Sequence, residues 1–178
     1  NGSGFFLLRL FGVPQSTHRH VHSAEEMQML ISESHEGGLI ETEEHERLTQ
    51  ALQLENRKVS EIMVPREEMR VLDIRADLET VLHALGESPY TRWPVYEGEF
   101  DRIVGIAHAR DIARLALDPS KPFDLRRVVR QPLVVHAGMT ADDLLSIMRI
   151  EHKQLAIVIA DYGKPVGLVG ISDVLDEL

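Results

Sequence analysis

The chain has 178 residues, 43% of them apolar, enough to bury a core in one large domain or two small ones. Its 19 basic and 29 acidic residues leave a formal net charge of -10, which argues against sequence-independent nucleic-acid binding, because that needs clustered cations. There is no cysteine, which removes disulfides, thiolate zinc sites and cysteine nucleophiles, and fits a reducing compartment.

The first residues, Asn1-Gly2-Ser3-Gly4, are small and polar and carry no starting Met, so they read as a foreign leader on a shortened protein. Phe5 to Val13 reads either as the tail of a longer apolar element or as a short helix packed on the core. It falls well short of the roughly 18 apolar residues that span a bilayer. Pro14 to His22 reads as a linker. Ser23-Ala24-Glu25-Glu26 fits a capping box opening a helix with Met27, Leu30 and Ile31 on one side, and Gly37-Gly38 stops it. A second, acidic helix is expected from Thr42 to Glu55, with Leu48, Ala51 and Leu52 inward.

From Val59 onward the chain says nearly the same thing twice. Met69 to Ile74 reads as a strand, Leu78 to Leu85 as a helix ending at Gly86, Trp93 to Tyr96 and Ile103 to Ala107 as strands, and Arg110 to Leu117 as a helix. Pro94 lacks an amide donor, so it is expected at a strand's first residue or edge. Asp118-Pro119-Ser120-Lys121-Pro122 breaks the chain. The second copy runs through a strand at Leu133 to Val135, a Thr140-capped helix from Ala141 to Ile150, a fully apolar strand from Leu155 to Ala160, a return strand from Val166 to Val169, and a last helix from Ser172. Gly105 and Asp111 recur as Gly167 and Asp173, 62 positions later. This spacing predicts an α/β protein of two pseudo-symmetric units, each strand-helix-strand-strand-helix, packed sheet to sheet around a shared cleft.

Two constellations could carry chemistry. In Gly105-Ile106-Ala107-His108-Ala109-Arg110-Asp111 and Gly167-Leu168-Val169-Gly170-Ile171-Ser172-Asp173, a strand turns into a helix beside a carboxylate. The missing Cβ lets a backbone or a flat ring approach, and the carboxylate can accept from ribose hydroxyls or simply cap its own helix. Tyr90-Thr91-Arg92-Trp93-Pro94 adds a hydroxyl and a guanidinium suited to phosphate. The second copy has Lys153-Gln154 at that place, so the two clefts are unequal. His18, His20 and His22 alternate like strand-spaced metal ligands but lie in the linker, and the acidic runs read as solvated helix faces.

These residues, together with Ile62-Met63-Val64-Pro65-Arg66 and the lead-in Glu36-Gly37-Gly38-Leu39-Ile40-Glu41, give the chain its likeness to known proteins. It resembles a tandem CBS-domain pair (a Bateman module), and more narrowly the CorC/HlyC-type membrane proteins that include the CNNM magnesium transporters. The resemblance covers about residues 24–178. It implies a juxtamembrane remnant and linker over 1–22, a helical lead-in over 23–57, and CBS repeats over 58–118 and 123–178. It implies an adenine nucleotide, ATP or AMP, in the cleft, with Mg²⁺ carried on the phosphates. The implied nucleotide-binding residues are Met63, Val64, Pro65, Tyr90, Thr91, Arg92 and Pro94 from the first copy. His108 and Asp111 would serve the opposite cleft, and Gly170, Ser172 and Asp173 complete the set from the second copy. His108 and Gly170 depart from the family's Ser or Thr at those positions.

The resemblance further implies a homodimer, and control of a divalent-cation transport domain in the same full-length chain, at the cytoplasmic face of the inner membrane. No catalysis and no resident metal are expected. The rival readings are a dimerisation module with empty clefts and a phosphoester hydrolase built on the histidines and carboxylates.

Overall fold

Ser23 opens the first helix as its sequence predicts, its Oγ accepting from the Glu26 amide at 3.3 Å. The computed structural model describes residues 23–118, 120 and 122–176, with the side chains of 53–55 left aside. The expectations for Asn1 to His22, including the alternating histidines, lie outside the described residues. The chain divides into two compact units, 1–45 and 46–178.

In the first unit, α1 (Ala24–Glu36) ends on Gly37, and Gly38 takes a φ of 72° that suits a residue without a Cβ. No α1 residue is buried. The rings of His35 and His45 stack with centroids 4.7 Å apart. Helix α2 (Thr42–Asn56) runs across the division between the units. The expected inward face of α2 is not formed, because Leu48 and Ala51 are exposed and Leu52 is half-buried. Apolar spacing marks a helix face but does not supply the surface that would cover it.

The second unit holds the repeats. Its elements are α3 (Val59–Ile62), β1 (Val64–Pro65), a 3₁₀ turn (Arg66–Glu68), β2 (Leu72–Asp73), α4 (Leu78–Gly86), β3 (Arg92–Glu97), β4 (Glu99–His108) and α5 (Ala109–Ala116). After a 3₁₀ turn (Leu125–Arg127) come β5 (Leu133–His136), α6 (Ala141–Ile150), β6 (Leu155–Ile159), a 3₁₀ turn (Asp161–Gly163), β7 (Pro165–Gly170) and α7 (Ile171–Leu175). Asp77 caps α4 through the Thr80 amide (2.9 Å), and Thr140 caps α6 through the Asp143 amide (3.2 Å).

The strands form a four-stranded sheet in the order β1-β7-β6-β5 and a three-stranded sheet in the order β2-β3-β4. The sequence repeats do not map one to a sheet. Strand β1, from the opening of the first copy, pairs with β7 of the second. Reciprocally, the opening of the second copy reaches back: Arg130 and Ile106 exchange backbone hydrogen bonds of 3.0 and 2.8 Å. The two cores follow the same exchange. Val59 is buried with Val135, Leu144, Met148 and Val158, whereas Leu125 is buried with Val81, Trp93, Val95 and Ile112.

This exchange accounts for Gly105 and Gly167. A Cβ on Gly167 would lie 2.5 Å from the Val64 carbonyl oxygen, and one on Gly105 would collide with the Arg130 carbonyl. Both glycines therefore admit a backbone, one of the two approaches their sequence allowed. Pro94 departs from its expected place, because it is the third residue of the central strand of its sheet. Its ladder partner Ile106 spends its amide and carbonyl on Arg130, so Pro94 faces no demand for a donor from β4.

Candidate functional site

The exchange sets the strand-to-helix turns of the two copies side by side and leaves two clefts. The first, of about 260 Å³, gathers Val64, Tyr90, Thr91 and Arg92 with Gly170, Ser172 and Asp173. Seven sequence-predicted site residues thus meet there, contributed by both copies. The second, of about 390 Å³, gathers His108 and Asp111, with Arg92 reaching this wall as well. Met63, Pro65 and Pro94 line neither cleft. Met63 packs over Gly167, Pro65 pairs with Gly167 in the sheet, and Pro94 is fully buried.

Arg92 stands between the clefts. One of its terminal nitrogens donates to Gln154 Oε1 and the other to Thr91 Oγ1 at 3.3 Å. Arg92 and Gln154 are 62 residues apart, the same offset that relates Gly105 to Gly167. The side chains at this matched position therefore bond to each other across the pseudo-twofold axis.

The two carboxylates differ because the two helix starts are capped differently. In the second copy, Gly170 has no side chain to cap α7, and Asp173 Oδ2 accepts from the Gly170 amide at 2.7 Å. Its other oxygen has no partner among the described residues. In the first copy, His108 caps α5 itself, Nδ1 accepting from the Arg110 amide at 3.1 Å. Asp111, released from capping, is held by Arg130 at 3.0 Å and Arg114 at 3.8 Å. A ribose would find a free carboxylate oxygen in the first cleft and an occupied carboxylate in the second.

The sequence reading missed Glu68, Arg70 and Gln154 in the first cleft. Arg70 is exposed, with no ion-pair partner among the described residues, and offers a second guanidinium beside Arg92. It follows β1 without any periodic pattern, so only its short distance in sequence from Val64-Pro65 could have pointed to it.

Partial burial holds the His108 imidazole below the ordinary value of 6.5, helped by Arg92, Arg110 and Arg130 and opposed by Asp111. A depressed histidine binds its proton less readily folded than unfolded. Its stabilisation is therefore complete above pH 6.5 and fades as pH falls towards the folded value. His108→Asn, which retains a capping acceptor, should flatten the decline of the urea midpoint between about pH 7 and pH 5.5.

The CBS domain model matches residues 59–118 and 124–178, most of the chain. The chain belongs to the CBS-domain family. Among curated relatives, this CBS pair is 34% identical over 179 residues to the UPF0053 protein YugS of Bacillus subtilis, covering 100% of the chain and 42% of the relative. It is 31% identical over 176 residues to the magnesium and cobalt efflux protein CorC of Escherichia coli K12, covering 99% and 59%. The chain thus spans about half the length of these relatives.

Among solved structures, the CBS domain of a bacterial CNNM/CorC family Mg²⁺ transporter matches with a TM-score of 0.80 and 32% identity, over 88% of this chain and 96% of that one. The CBS domain of a bacterial CNNM/CorC family Mg²⁺ transporter in complex with ATP matches with a TM-score of 0.71 and 34% identity, over 76% of this chain and 96% of that one. The pair is therefore of the CNNM/CorC type. Among the described residues, no helix is long and apolar enough to cross a membrane.

Proposed function

We propose that this CBS pair senses an adenine nucleotide in the Asp173 cleft and passes its occupancy to a divalent-cation transport domain elsewhere in the full-length chain. The observation that carries this reading is the meeting of Thr91 and Arg92 from one copy with Ser172 and Asp173 from the other around one opening. The carboxylate oxygen left free by helix capping would take the ribose hydroxyls. Arg92, Arg70 and Thr91 would take the phosphates, and any Mg²⁺ would arrive on those phosphates with its waters. Exposed Tyr90 at the rim offers a ring for the base. The ATP complex of a 34%-identical neighbour supports the nucleotide class.

A ligand that draws side chains from both copies favours one cleft geometry. Only that difference in affinity can bias an attached domain. In this reading the repeats occupy 58–118 and 123–178, the helical lead-in 23–57 joins them to a membrane domain, and the assembly is a dimer at the cytoplasmic face. It senses and does not catalyse.

Calorimetry with ATP and AMP, with and without Mg²⁺, tests it. Saturable binding of one nucleotide per chain is expected, without turnover of ATP. No heat with any nucleotide would instead favour a dimerisation module with empty clefts, the reading that Gly170 supports by lacking the family's hydroxyl.

A further inference from the structure

The second cleft is the larger of the two and has a different chemistry. Four cationic side chains, Arg92, Arg110, Arg130 and Lys153, line it in a protein whose net charge is -10. Its carboxylates are Glu151 and Asp111, and Asp111 is already bridged by Arg130 and Arg114. Among the described residues, Arg110 has no ion-pair partner, Lys153 Nζ is held only by the Gln131 carbonyl at 2.9 Å, and Arg92 contacts only neutral oxygens. His108 Nδ1 is committed to the Arg110 amide, so the neutral ring carries its proton on Nε2 and is a donor there. The field of Arg92, Arg110 and Arg130 already disfavours a further positive charge on that ring.

We propose that this second cleft is an oxyanion site for an inorganic polyphosphate, separate from the nucleotide cleft and with no requirement for a ribose. Converging cations and a histidine donor suit a compact, highly charged anion. The bridged state of Asp111 removes the acceptor that a nucleoside would need. The apolar lining of the cleft comes from Ile106, Leu133 and Leu155. This site shares Arg92 with the first cleft and is distinguished by Arg110, Arg130 and Lys153, which that cleft lacks.

The test is a titration of the chain with inorganic tripolyphosphate, followed by calorimetry and by NMR of the His108 ring. Saturable binding and an upward shift of the His108 pKa are expected, because an anion cancels the arginine field. Arg110→Ala and Lys153→Ala should each weaken binding about tenfold. Arg110 is exposed and Lys153 half-buried, and a thermal melt verifies the folding of both variants. Asp173→Asn, placed in the other cleft, should leave tripolyphosphate binding within about twofold.

Absence of saturable binding overturns the proposal. So does binding that Asp173→Asn abolishes while Arg110→Ala and Lys153→Ala leave it intact, because the anion then sits in the first cleft. ATP that perturbs the His108 ring of the Asp173→Asn protein with an affinity more than about tenfold tighter than tripolyphosphate overturns the claim that no nucleoside is read, because that ring lines the second cleft. A failure of ATP to bind the unmodified chain affects only the first cleft, so the two readings fail separately.

Discussion

Gly167→Val should cost the second unit about 3 kcal/mol or more of stability and abolish nucleotide binding with it. The Cβ position of residue 167 lies 2.5 Å from the Val64 carbonyl oxygen and 2.8 Å from Met63 Sδ. A methionine side chain can move aside. The Val64 oxygen cannot, because it belongs to the backbone of β1, which is fixed by pairing Val64 with Leu168 and Pro65 with Gly167. The new side chain would have to expel β1 from the four-stranded sheet. That step pulls Val59 and Ile62 from the core they share with Leu144 and Val158, and it removes Val64 from the wall of the first cleft. Gly105→Val should behave alike, since its Cβ meets the Arg130 carbonyl and Val129.

Gly86→Ala is the control. Nothing lies within 4 Å of its Cβ position, so its urea midpoint should stay at or slightly above that of the unmodified chain. A Gly167→Val protein with an unchanged midpoint would mean that β1 is not in contact with β7.

Local signals in the sequence carried the helices far better than the strand pairing. The helix Ala141–Ile150 matches its expected bounds, and Gly86 ends α4 as read, because caps and 3.6-residue periodicity are written within a few residues. The exchange of opening strands was not legible. Two near-copies present the same apolar pattern, so β1 could satisfy its own sheet or its neighbour's equally well by composition. Only the glycine pair hinted at the close backbone approach, and a ligand explained it as readily.

Pro94 was misplaced for the same reason, because the partner that relieves its missing donor, Arg130, lies across the exchange. The candidate site was legible where both copies carry a marker, as at Asp111 and Asp173. Glu68 and Arg70 lack a counterpart pattern and were not. The unequal fates of the two aspartates depend on which residue caps each helix. That follows from His108 standing where the other copy has Gly170, and whether a residue caps a helix is settled by side-chain geometry that the sequence does not show.

Asp173→Asn should lower ATP affinity by about 10- to 100-fold, or about 1–3 kcal/mol, while leaving the urea midpoint nearly unchanged. Asp173 serves two partners with two oxygens. Oδ2 accepts from the Gly170 amide at 2.7 Å and so closes the start of α7. The other oxygen lacks a protein partner among the described residues, and Asp173 lines the first cleft with Ser172 and Thr91. Asparagine keeps one oxygen, which can continue to accept from Gly170, and turns the other position into an NH₂ donor. A ribose hydroxyl that donates to the carboxylate then meets another donor.

Asp173→Ala removes the cap as well, so it should lose affinity and also about 1 kcal/mol of stability. The separation between the two variants identifies the carboxylate's work for the ligand apart from its work for the helix. Asp111→Asn should leave ATP affinity within about twofold, because that carboxylate is bound to Arg130 and Arg114 in the other cleft. Calorimetric titration of the three variants decides the matter. Equal ATP affinity in the unmodified chain and in Asp173→Asn would leave Asp173 as a helix cap alone and move the ribose out of the first cleft.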